Sequence, residues 1–128
     1  MKWVVIASSM MFMVVCGSAL GATLNLKASW TAPTTNTDGT KITDTLTYNL
    51  YRTDGTRTKI NSSPITSPGT SSSPYLFSIS ATGSGTATFV VTAVDTVSGL
   101  ESADSTSASY SYALEVPNSP SNLIVQKQ

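Results

Sequence analysis

From Leu24 to Thr31 the chain alternates strictly, with Leu24, Leu26, Ala28 and Trp30 apolar and Asn25, Lys27, Ser29 and Thr31 polar. A period of two is the pattern of a strand with one buried face, and it argues against a helix over the same residues. The pattern returns in Leu46, Tyr48 and Leu50, in Tyr75, Phe77 and Ile79, and in Ala108, Tyr110 and Tyr112. It is strongest in residues 86 to 95, where Phe89, Val91 and Ala93 share one face. The other face there (Thr88, Val90, Thr92 and Val94) is also fairly apolar, as in a central strand covered on both sides. Asp54-Gly55 stands before the short run Arg57-Thr58-Lys59-Ile60, which predicts a hairpin. Pro33 and Asp38-Gly39 mark a loop after the first strand, Thr82-Gly83-Ser84-Gly85 a flexible link, and Val97-Ser98-Gly99-Leu100 a turn. Residues 61 to 74, rich in serine, proline and glycine, read as an exposed crossing loop too polar to pack. The fold class expected is all-β, an antiparallel sandwich of about six to seven strands.

The first strand begins almost directly behind an apolar segment. Residues 3 to 15 are mostly apolar, follow the single cation Lys2, and end in Cys16-Gly17-Ser18-Ala19-Leu20-Gly21-Ala22. A membrane-spanning helix needs about 20 apolar residues, so this run fits a cleaved signal peptide over residues 1 to 22 better than an anchor. Cleavage after Ala19 or Ala22 satisfies the need for a small residue. A lipoprotein signal is rejected, because the bulky Val15 precedes Cys16. Cleavage after Ala22 leaves 106 of the 128 residues, one domain's worth, with no cysteine to form disulfides. Six basic residues then face seven acidic ones, with no basic stripe, which argues against nucleic acid or an anionic membrane as partner.

Chemistry has little to work with. The sequence has no histidine and its one cysteine is Cys16, in the expected leader. Ser-His-Asp and Cys-His nucleophiles are thereby excluded, as are imidazole or thiolate zinc sites. No phosphate-binding glycine loop is present. Asp38, Asp44 and Asp54 lie in or beside turns, where aspartate is favoured for local reasons, and they make a poor pair for glycoside hydrolysis. Asp95, Glu101 and Asp104 flank one turn and could offer oxygen ligands to calcium, but solvated acids account for them more simply. No catalytic, cofactor or metal residue is therefore assigned. Tyr51, outward while Tyr48 and Leu50 claim the core face, is the best candidate for stacking on a sugar. Arg52-Thr53-Asp54-Gly55 is read as a hairpin and not an adhesion tripeptide. The abundant serine and threonine read as a solvated β surface rather than a glycosylated stalk. Asn61-Ser62-Ser63 is a formal glycosylation acceptor that matters only in a eukaryotic secretory route.

Three segments together resemble a fibronectin type III module over about residues 24 to 112. Lys27-Ala28-Ser29-Trp30-Thr31-Ala32-Pro33 is similar to the family's L-x-W-x-x-P segment, with Ala28 in the aliphatic slot. Tyr48-Asn49-Leu50-Tyr51-Arg52 is similar to its Y-x-V-Y-R strand. Phe89, Val91, Ala93 and Asp95, followed by Gly99 and Ser102, match its F-x-V-x-A-x-D and G-x-x-S elements. The stretch from Trp30 to Gly39 looks most like bacterial and phage-encoded members. The resemblance, together with the export signal, implies an exported, non-enzymatic module that binds, adheres or spaces at a cell envelope or virion surface. Its partner would be a protein or a cell-surface polysaccharide, with no cofactor and no membrane contact after signal cleavage.

Two departures stand out. The family's corner tyrosine falls at Ala87, which removes a hydrogen bond worth about 1 kcal/mol. The family's first strand should precede Leu24, where the export segment lies. Its P-x-x-P-x-x-L-x-V opening instead matches residues 117 to 125, from Pro117 and Pro120 to Leu123 and Val125. Residues 115 to 128 are thus expected to be a tail that resembles a linker and first strand. One reading is a frayed end. Another is a self-assembling subunit in which Leu123, Ile124 and Val125 complement the open edge of a second copy, head to tail.

Overall fold

The computed structural model describes residues 21–115 and 117–127, and among them there is no helix. Six strands follow in chain order: β1 (Ala22–Ala28), β2 (Leu46–Arg52), β3 (Thr58–Lys59), β4 (Tyr75–Ala81), β5 (Ser84–Asp95) and β6 (Ala108–Ala113). β1 and β4 make a two-stranded sheet, while β3, β2, β5 and β6 make a four-stranded sheet in that order. All the pairings are antiparallel. The expected all-β class with two antiparallel sheets is what forms.

The alternation decides which side chains go inside. Tyr48 and Leu50 from β2, Ala87 and Phe89 from β5, and Ile79 from β4 are buried in one cluster. Leu24, Leu26 and Phe77 pack onto it from the smaller sheet. An aromatic chain runs through this interior by edge contacts. Trp30 stands 5.4 Å from Tyr48 and 6.4 Å from Tyr75, and Phe77 stands 5.2 Å from Phe89. Such tilted pairs add about 0.5–1.5 kcal/mol each beyond area burial.

β5 is central, as its two apolar faces predict. It pairs with β2 on one side and β6 on the other, and Val90 and Thr92 on its outer face are 7% and 2% exposed. β2 and β3 form the hairpin expected around Asp54-Gly55, with Tyr51 opposite Lys59 and Arg52 opposite Thr58. The link after β4 is shorter than its glycines suggest. Only Thr82 and Gly83 separate β4 from β5, and Gly83 (φ +61°) makes the turn from one sheet to the other.

Residues 61 to 74 do pack, contrary to the expectation from their polarity. Asn61, Ile65 and Gly69 are all buried, one every fourth residue. Ile65 exchanges both backbone hydrogen bonds with Tyr48, at 2.9 and 3.1 Å. Asn61 Oδ1 accepts the Leu50 amide at 2.8 Å. Gly69 O accepts the Trp30 amide at 2.9 Å, and a Cβ on Gly69 would stand 2.8 Å from Tyr75 N. A few buried anchors hold an otherwise polar segment against the core edge, and average composition hides them.

The expected leader, residues 1 to 22, lies outside the described residues except for Gly21 and Ala22. Ala22 opens β1 and pairs with Ala81. Cleavage after Ala19 leaves this strand whole, whereas cleavage after Ala22 removes its first pair. Residues 117–127 take no strand, and Leu123, Ile124 and Val125 are 88%, 74% and 86% exposed.

Candidate functional site

Two surfaces collect the side chains that the sequence singled out. The first is the outer face of the large sheet. Alternation places Asn49 and Tyr51 of β2 there beside Thr92 of β5, and the chain after β5 returns to lay Glu101 over them. Asn49 Nδ2, Tyr51 OH and Thr92 Oγ1 donate to Glu101 Oε1 at 3.2, 2.8 and 2.5 Å. These donors hold the Glu101 carboxyl below its ordinary value, Thr92 contributing most. Arg57 lies over the Tyr51 ring, its Cζ 3.9 Å from the centroid, and forks onto Asp104 at 2.6 and 2.8 Å. Tyr51 is therefore not an open stacking platform: the guanidinium covers the ring and Glu101 takes the hydroxyl.

The three acids proposed around one turn do not converge. Asp95 Oδ1 accepts the amides of Val97 and Ser98 and so shapes its own turn, Glu101 serves the sheet face, and Asp104 serves Arg57. Among the described residues no group of three or more metal-ligating side chains comes together. Asp54 is equally occupied. It accepts Arg52 through both oxygens at 2.8 Å and the Thr88 amide at 3.1 Å. The Arg52 bond above all lowers its carboxyl to about 2. Asp38 accepts from the Thr40 amide and hydroxyl inside its loop. The hydroxyls form cross-strand pairs, Thr86 with Ser111, Thr88 with Ser109 and Ser78 with Asn25, at 3.1, 3.1 and 2.8 Å, as a solvated β surface does. The glycosylation acceptor is unsuited to its role once folded, since Asn61 is 4% exposed and its Nδ2 donates to Ser63 O at 2.9 Å.

The second surface is a groove of about 550 Å³ that runs between the sheets. Residues 26–31 form one wall, the segment around 105–110 the other, and Phe77 and Phe89 line its depth. It exists because two strands cannot cover four. Tyr110 pairs with Ala87 and so sits on the inward face of β6, yet it is 45% exposed. Trp30 also lines the groove, and its Nε1–H is buried without an acceptor among the described residues. The sequence alternation placed Tyr110 on the core face correctly. It carries no information on whether a strand lies opposite, so the groove was not legible there.

Comparison with protein-family models, curated proteins and solved structures returned no match.

Proposed function

We propose that the chain is an exported, non-enzymatic module of the fibronectin type III kind, acting in binding or spacing at a cell envelope or virion surface. The observation that carries the non-enzymatic part is the commitment of five of the seven carboxylates, all but Asp44 and Glu115. Asp38, Asp54, Asp95, Glu101 and Asp104 each accept hydrogen bonds from neighbours that fix turns or sheet faces. A general acid or base needs a free proton site at a cavity, and these five are used for architecture. Support for the family reading comes from the residues that carry the resemblance: Tyr48 and Phe89 belong to one core cluster, and Trp30 packs against it. The export reading rests on the charged, apolar and small-residue order of residues 2 to 22.

The test is expression of the full chain in a bacterium, with mass spectrometry of its N-terminus and a pull-down on cell-wall polysaccharide and envelope fractions. The reading predicts a processed chain starting near residue 20 or 23, recovered outside the cytoplasm and retained on an envelope fraction. An intact Met1 on cytoplasmic material contradicts export. Loss of retention on every fraction contradicts the binding role.

A further inference from the structure

We propose that the groove beside β1 is an acceptor for the tail of a second copy, with residues 121–127 adding as a strand antiparallel to β1. The acceptor side rests on three observations. β1 pairs with β4 on one edge and, among the described residues, has no strand on the other. In an antiparallel pair every second residue turns its N–H and C=O outward, so this edge offers a row of backbone groups to a further strand. The inward face of β6 lies opposite the missing position, which is why Tyr110 stays 45% exposed over an apolar groove. A strand laid there would cover Tyr110, and would bring backbone carbonyls to a wall where the Trp30 Nε1–H lacks an acceptor among the described residues.

The occupant is named by the tail. Leu123, Ile124 and Val125 are a run of three consecutive exposed large apolar residues, and they belong to no strand. Such a run in water favours a partner that buries it. In extended form Leu123 and Val125 share one face, so both can enter the groove while Ile124 faces out. Five or six residues span the groove wall at roughly 3.3 Å each, a length that residues 121–127 supply.

Direction makes the partner a second copy. β6 ends at Ala113 beside Ser84, close to Ala81 and so to the start of β1 at Ala22. The tail therefore leaves at the pole where β1 begins. To run antiparallel to β1 it must enter from the other pole, near Trp30. For its own groove that requires crossing the length of the body and turning back. For a copy stacked head to tail, the entry pole is the next thing the tail meets. This contact is heterologous and propagates unless it closes. It rests on removal of the leader, as the proposed function reads it, but not on what surface the module binds, so its failure and that of the binding role are separable.

The processed chain is tested by sedimentation velocity and light scattering up to about 1 mM, where small interfaces register. Deletion of 117–128 leaves all six strands, the last ending at Ala113, in place. The expected result is a mass that at least doubles with concentration for the natural chain. Both the deletion and the pair L123D/V125D should stay monomeric with an unchanged melting temperature, and I124S should weaken assembly least. Trp30 is the only tryptophan after the leader. Its emission should shift when a synthetic 117–128 peptide is added to the deletion variant. A natural chain that stays monomeric throughout overturns the proposal, as does assembly that survives L123D/V125D. A monomer whose Trp30 emission responds to L123D/V125D also overturns it, because the tail then closes on its own groove.

Discussion

Asn61 does more than its place in a serine-rich loop announces. Its amide satisfies the Leu50 N–H and donates to Asn49 Oδ1 at 3.2 Å and Ser63 O at 2.9 Å while nearly excluded from solvent. Asn61→Ala strands a buried donor on β2 and should cost about 2–3 kcal/mol in urea unfolding. Asn61→Asp keeps the acceptor oxygen but loses the donor and should also destabilise. Asp54 sets the pH behaviour. Its folded value of about 2 lies below the ordinary 3.8, so its contribution is complete above the unfolded value and is lost as pH falls toward 2. Glu101, Asp38, Asp95 and Asp104 are lowered as well and act in the same direction. The Arg52–Asp54 pair keeps 26% and 21% of its side-chain surface in water, so screening reduces its worth to on the order of 1 kcal/mol. Thermal melts should therefore fall between pH 5 and 2, and Asp54→Asn should shallow that fall while lowering stability at pH 7.

At the scale of elements, alternation told most of the story. It placed the inward faces of β1, β2, β4 and β5, and Asp54-Gly55 placed the hairpin. It missed what depends on a single residue within a polar stretch. Ile65 and Gly69 fix the crossing loop through contacts with Tyr48 and Trp30, residues 17 and 39 positions away, and no local period reports such distances. Ile65→Ala should cost about 2–4 kcal/mol, read by chemical denaturation. Gly69→Ala forces a Cβ against the backbone of Ala28 and Tyr75 and should lower the melting temperature further than an exposed Gly55→Ala, whose Cβ meets nothing. Gly85 is a milder case. A Cβ there stands 2.9 Å from the Tyr112 hydroxyl, a side-chain end that can move.

For the whole molecule, the imbalance between a two-stranded and a four-stranded sheet among the described residues is the governing fact. It leaves the inner face of β6 half covered, opens the groove at Trp30, and leaves one edge of β1 unpaired among the described residues. The candidate stacking tyrosine and two of the turn's acids, Glu101 and Asp104, are parts of one face that holds the segment after β5 to the sheet, while Asp95 shapes its own turn. The groove was invisible in sequence because coverage is a property of two sheets together. Residue-resolved amide hydrogen exchange along β1, followed as concentration rises, tests this directly. At low concentration protection should alternate along residues 22–28, high where the amide faces β4 and low where it faces out, while β5 is protected throughout. As concentration rises, the outward amides should gain protection together with alternate amides of residues 121–127, those that face β1. Uniform protection of β1 in the dilute monomer would contradict the open edge, and outward amides that stay fast at every concentration would contradict its occupation by a second copy.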